Sequence, residues 1–389
     1  MKKISADWVY PIASEPIQHG VVVTNNAGVI LAVGRREDHD PASLDVRSGI
    51  LVPGFVNAHC HLELSHMLGK VDTGTGLIPF ITGVVTQRNA TAEMIDEAIQ
   101  KAYADMLEGG IVGLGDISNV TNSFAAKQSG RMRSHTFVEL FDFLQNDRAK
   151  TVFADGKKVY DALDPVAGSA KSFVPHAPYT VSKNLFDLVN AANRGRKTTV
   201  SIHNQETPPE NQLFEHGTGS FYGFYEKFGI SLEEFRHTGQ TSIHHALKHL
   251  DPSQRTLFVH NTLSTRADIL AAQAWSDGVF WATCPNANLY IENRLPDYSA
   301  FIDCGARVCI GTDSLTSNWQ LSILEEMKTI ARFQSYVPFE TILRWATLNG
   351  AQALGFDDTL GSLEVGKTPG VLLLSDRELG MGTRVARLV

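Results

Sequence analysis

The chain is predicted to be an α/β protein, a TIM-type (β/α)8 barrel carrying a small β-sandwich built from both termini. Three observations predict it. Eight short apolar runs alternate with helix-like stretches through the middle of the chain, and strand-and-turn patterns occupy the two ends. Polar residues stand where the apolar runs stop, and histidines end four of the eight runs. A length of 389 residues suits one barrel of about 250 to 400 residues with an accessory unit.

At the N-terminal end, Trp8 to Tyr10, Gly20 to Thr24 and Val29 to Gly34 read as short strands, with Asn25-Asn26-Ala27-Gly28 as turn residues. Pro369-Gly370 leads into Val371-Leu372-Leu373-Leu374 at the far end. Residues 1–50 with 361–389 are therefore assigned to the sandwich and 51–360 to the barrel. The eight barrel runs are Ile50–Val56, Ile111–Leu114, Thr136–Leu140, Ser172–Val174, Thr198–Ile202, Thr256–Val259, Val279–Ala282 and Arg307–Ile310. Between them, stretches such as Ala92 to Leu107 and Leu185 to Asn193 repeat apolar residues every three or four positions, as helices do. Strand and helix in alternation imply a parallel sheet, and eight units favour closure into a barrel.

Composition narrows the function classes. Hydrophobic content of 43% is ordinary for a globular chain, and a net charge of −8 argues against nucleic-acid binding. Met1 to Ala13 lacks the apolar core of a signal peptide, and no apolar run is long enough to span a bilayer. Four cysteines (Cys60, Cys284, Cys304, Cys309) in so long a chain make no disulfide framework. The expectation is a cytoplasmic protein with a small-molecule partner and no nucleic-acid or membrane partner; a homo-oligomer is compatible with the sequence.

In barrels of this kind the catalytic groups stand at the C-terminal strand ends. Followed to their ends, the runs give His59 and His61 after the first, Glu139 at the third and His176 at the fourth. The fifth gives His203 with Glu206, the sixth His260 and the eighth Asp313. His59-Cys60-His61 in an extended strand projects both imidazoles to one side. Two neutral imidazoles suit Zn2+ and related ions, although an HxH pair alone also fits a half-exposed strand. Glu206, three residues past His203, can reach over such a site and carry a proton from water to a leaving amine, or be a surface-loop carboxylate beside a core-edge His. Asp313, in Gly311-Thr312-Asp313-Ser314, can ligate a metal and orient water, or cap a helix beginning near Trp319. His260 can stabilise the attacked centre or be a satisfied core residue, and His176 can bind substrate or pack beneath the Pro178 turn. The His244-His245 pair and His249 read as a solvated helical face.

Leu51-Val52-Pro53-Gly54-Phe55-Val56-Asn57-Ala58-His59-Cys60-His61 resembles the barrel-opening motif of the amidohydrolase superfamily, and Gly361-Ser362-Leu363-Glu364-Val365-Gly366-Lys367 resembles its return to the sandwich. The pattern is similar to the mononuclear branch of cytosine and adenosylhomocysteine deaminases. The resemblance implies that His59, His61, His203 and Asp313 hold one divalent metal, Zn2+ ahead of Fe2+. It further implies that Glu206 shuttles the proton and that His260 assists at the attacked carbon. Binuclear relatives place a carboxylated lysine at the end of strand four. Here Lys171 stands at that strand's beginning.

Narrower likenesses, in His61-Leu62-Glu63-Leu64-Ser65, Phe80-Ile81 with Arg88 and His176-Ala177-Pro178-Tyr179, are to aminodeoxyfutalosine deaminases. They imply that Glu63 and His176 contact a nucleoside and that Arg88 meets its carboxylate. Cys284-Pro285-Asn286-Ala287-Asn288 resembles the strand-seven motif and implies Asn288 near the pocket. It lacks the usual Ser before that Asn, and Thr368-Pro369-Gly370 replaces the common Ala-Asp after Lys367. The expected activity is hydrolytic deamination of an aminated purine, pyrimidine or nucleoside. The alternatives are hydrolysis of a cyclic amide or a chlorotriazine at the same site, and a non-catalytic barrel scaffold.

Overall fold

The computed structural model describes residues 1–233 and 235–389. Eight parallel strands form the barrel: β1 (Phe55–Cys60), β2 (Ile111–Ser118), β3 (Arg133–Leu140), β4 (Ala170–Pro175), β5 (Thr199–Asn204), β6 (Arg255–His260), β7 (Val279–Thr283) and β8 (Val308–Ile310). They pair in order as two sets of four, β1 to β4 and β5 to β8. Backbone hydrogen bonds cross both seams. His203 N donates to His176 O over 2.9 Å at one, and Thr312 N and Asp313 N donate to His59 O over 3.0 and 3.1 Å at the other. The residues that join the two halves are thus the same ones the sequence marks for chemistry.

Strands enclosed on both faces read as near-continuous apolar runs rather than alternating ones. All eight residues of β2 are buried, which is why simple apolar runs sufficed to find the barrel. Helix Ala92–Glu108 starts where Thr91 accepts the Met94 amide, and Lys183–Asn193 where Ser182 accepts that of Leu185.

The termini build two further sheets. One orders Ile30–Arg35, Gly20–Thr24, Lys2–Ser5 and Asp45–Val46; the other orders Val385–Arg387, Val371–Leu374, Ile50–Pro53, Trp8–Val9 and Ile17–Gln18. Asn25 Oδ1 accepts the amides of Ala27 and Val29 in the turn. The run Ile50–Val56, expected to be one barrel strand, is divided. Ile50–Pro53 pairs with Val371–Leu374 in the terminal sheet, and the barrel strand begins at Phe55. Gly54 makes the break, because a Cβ there would lie 2.5 Å from Pro369 O and 2.3 Å from Val112 Cγ1. An unbroken apolar run gives no sign of that change of partner.

The stretch His244-His245 with His249 is helical, Ser242–His249, but it is not a solvated face. The His245 ring lies 4.9 Å from that of Phe214, and His249 stacks on Phe186 at 5.6 Å. Imidazole has a flat apolar body, and neighbouring helices cover it here. No helix among the described residues is long and apolar enough to cross a membrane.

Candidate active site

Four strand ends bring electron-pair donors together. His59 and His61 lie on and just past β1, with their Nε2 atoms 3.2 Å apart. Asp313 Oδ1 is 3.2 Å from His61 Nε2 and 3.6 Å from His59 Nε2. His203, at the end of β5, offers a nitrogen within 4.8 Å of those of His59 and His61, and His260 does the same for His59 and Asp313. All five side chains are buried.

Their protonation follows from burial. His59 is pushed down to about 4 by desolvation, which outweighs its hydrogen bond with Asp313. Burial likewise lowers His61, His203 and His260. Neutral imidazoles keep a lone pair on one nitrogen, and the partner of the other nitrogen decides which one. His203 Nδ1 lies 2.8 Å from His176 O and donates to it, which leaves Nε2 as acceptor. His260 Nδ1 donates to Asn288 Oδ1 over 2.9 Å. Asp313 is held well below the carboxylate range; burial opposes this, but the hydrogen bond with His59 and the neighbouring imidazoles prevail. Its other oxygen accepts from Ser317 Oγ. Imidazole nitrogens and one carboxylate oxygen, gathered and desolvated, are the donor set a divalent transition ion requires.

Glu206 follows β5 on a loop, with Oε1 3.6 Å from His260 Nε2. Burial first, then the charges of Asp313, Glu210 and Glu292, raise it well above the usual carboxylate range, so it holds a proton readily. Non-glycine residues rarely adopt positive φ, and such backbone concentrates at functional sites. Here Gln205 (+46°), His260 (+72°), Asn261 (+58°) and Asp313 (+56°) all do so around the cluster. Asp313 does not cap a helix; the next one starts at Ile323, capped by Ser322.

Above the cluster opens a cavity of about 270 Å3. Its polar floor includes His61, His203, Glu206, His260 and Asp313, and its walls are apolar, with Phe80, Phe141, Phe143, Phe224 and Phe228 among them. Of the four residues expected to meet substrate, Arg88 and His176 line it. Glu63 and Asn288 stand behind the wall. Glu63 accepts the amides of Asn119 and Val120 over 2.9 and 3.1 Å, and Asn288 is engaged with His260.

Glu139, expected only to stand at a strand end, lines the cavity, with Oε1 3.5 Å from His203 Nδ1. Burial raises it to about 8. Asn119, which donates to it over 3.1 Å, carries no sequence signal. Neither does the buried Lys127–Asp116 pair at 2.6 Å, whose Asp116 Oδ1 also accepts the Leu62 amide just past His61. Lys171 points away from the site, donating to the carbonyls of Tyr160 and Leu163.

A barrel with this cluster at its C-terminal face defines a metal-dependent hydrolase. The sequence model of the amidohydrolase family matches residues 50–376, and the chain belongs to that family. It is similar to adenosine deaminase of Helicobacter pylori, 26% identical over 82% of this chain and 77% of the relative. It is also similar to 5'-deoxyadenosine deaminase of Methanococcus vannielii, 24% identical over 85% of this chain and 76% of that one. In structure it resembles Helicobacter pylori aminofutalosine deaminase, solved with methylthio-coformycin. That match has a TM-score of 0.84 and 23% identity and covers 100% of both chains. A zinc-bound adenosine deaminase from Xanthomonas campestris matches with a TM-score of 0.73 and 26% identity over 96% of this chain and 84% of its own.

Proposed function

We propose that the chain is a hydrolytic deaminase acting on an aminated nucleoside, aminodeoxyfutalosine being one candidate, with a single Zn2+ held by His59, His61, His203 and Asp313. One observation carries this reading: Glu206, buried, holds its carboxyl oxygen 3.6 Å from His260 Nε2 beside the ligand cluster. The named relatives act on adenine nucleosides, which supports the substrate class. The bound ion supplies Lewis-acid activation of water near neutral pH.

The chain's own groups supply the rest. Glu206 takes a proton from the attacking water and passes it to the departing amine. A C–O bond forms, the C–N bond breaks, and ammonia leaves. Asp313, its outer oxygen fixed by Ser317, orients the water. His260 Nε2, directed by the Nδ1 bond to Asn288, faces the charge that develops at the attacked centre. The apolar walls keep other water out, and Arg88 at the cavity lining suits a substrate carboxylate.

The test is an ammonia-release screen over aminated purines, pyrimidines and nucleosides, aminodeoxyfutalosine included, with metal analysis of the purified protein. Release from an adenine nucleoside with about one Zn2+ per chain is expected. Chloride release from a triazine, or no turnover with metal restored, overturns the reading.

A further inference from the structure

We propose that Glu210 is a positioning residue for Glu206, an inference that rests on the reading of Glu206 as the proton carrier. The loop after β5 turns through Gln205 in a left-handed conformation that non-glycine residues seldom adopt. That turn sets two successive amides, those of Gln205 and Glu206, side by side. Glu210 belongs to the helix that follows, Pro208–His216. Its Oε1 accepts the Gln205 amide over 2.9 Å and its Oε2 the Glu206 amide over 3.0 Å. Ser242 Oγ donates to Oε1 over 2.6 Å, and the side chain is wholly buried. Two successive amides held by the two oxygens of one carboxyl group fix the turn between them.

The opposite side of the loop is held as well. Thr262 Oγ1 donates to the carbonyls of both Gln205 and Glu206, and the Leu263 amide donates to Gln205 O over 3.1 Å. All four polar backbone groups of the two residues are therefore engaged. The Glu206 side chain reaches from this fixed backbone to line the cavity beside His260. Glu292 extends the arrangement to the cavity wall by accepting from Thr207 Oγ1 (2.6 Å) and from the amide of Leu77 (2.8 Å), the first residue of the lining helix. Proton transfer requires hydrogen-bond reach, and a displacement of about 1 Å costs about a hundredfold in rate.

The experiment compares Glu210→Ala, Glu210→Gln, Thr262→Val and Glu206→Gln in the metal-loaded full chain, using the compound that releases most ammonia in the screen above. Hydrogen exchange of the 203–207 segment gives a second readout that needs no substrate. Glu210→Ala should lower kcat by about 10- to 100-fold, with KM within about threefold and metal content unchanged. Glu210→Gln, which keeps one acceptor oxygen for one amide, should recover part of that loss. Thr262→Val should lower kcat in the same pattern, and exchange should rise in all three. Wild-type kcat in Glu210→Ala overturns the proposal, as does a joint loss of kcat, KM and metal. If Glu210→Ala does not fold, an unaltered kcat in Thr262→Val overturns it. Turnover surviving in Glu206→Gln would instead strike the shuttle role, a different failure from an inactive Glu206→Gln beside an active Glu210→Ala.

Discussion

The barrel buries histidines at both of its ends, and the two ends treat them differently. At the N-terminal end, His135 in β3 is fully enclosed, with Nδ1 3.1 Å from Leu354 O and Nε2 3.0 Å from Ser172 Oγ. At the other end, His59 and His61 face each other and an aspartate, and His59 Nδ1 has no partner among the described residues. Burial pushes both His135 and His59 down to about 4, so depressed basicity does not tell a structural imidazole from a ligand. Hydrogen bonding does: His135 has both nitrogens satisfied, whereas the upper cluster keeps lone pairs aimed at a common point.

The sharpest way to break this contrast is at Glu206, the proposed proton carrier. Glu206→Gln should lower kcat by about a thousandfold while the chain keeps its metal, as read by ammonia release and elemental analysis. Next, His203→Ala should lose bound metal. His135→Ala should retain it and lower stability by about 2–4 kcal/mol in denaturant melts, because a cavity replaces the ring and Leu354 O loses its donor. Metal lost from His135→Ala and kept in His203→Ala would reverse the assignment of the two ends.

The contrast is also testable with acid. His135 titrates near 4 when folded and near 6.5 when unfolded, so between those values the unfolded chain binds more protons. Its contribution is complete above pH 6.5 and is lost as pH falls through 4, amounting to about 3 kcal/mol. His135→Phe should flatten the melting profile over that window, and an unchanged slope would contradict the account. The smallest effect belongs to the wall. Phe224→Ala should raise KM about tenfold through lost apolar contact, with kcat within about twofold in steady-state kinetics.

Much of this was legible in the sequence, for a physical reason. A strand covered on both faces is mostly apolar, so β2 and β6 announce themselves, and the imidazoles and carboxylates in such runs fall toward their ends. That logic located His59, His203, His260 and Asp313. It fails where meaning depends on a distant partner. Glu210 resembles any acidic residue in a first helical turn until Ser242 and the Glu206 amide are seen around it. Glu63 reads as a substrate contact until the amides of Asn119 and Val120 occupy it. Ile50–Pro53 reads as barrel because its true partners, Val371–Leu374, lie some three hundred residues away.

That last pairing has a consequence for how the molecule is made. The strand that feeds directly into His59 and His61 pairs with Trp8–Val9, which is made before it, but its other partner, Val371–Leu374, leaves the ribosome some three hundred residues later. Contacts of such long sequence separation form slowly, and half-formed sheets expose unpaired edges. The segment that leads into the proposed metal ligands His59 and His61 is thus locked well after it is made, and this part of the site becomes rigid only once Val371–Leu374 has joined the sheet.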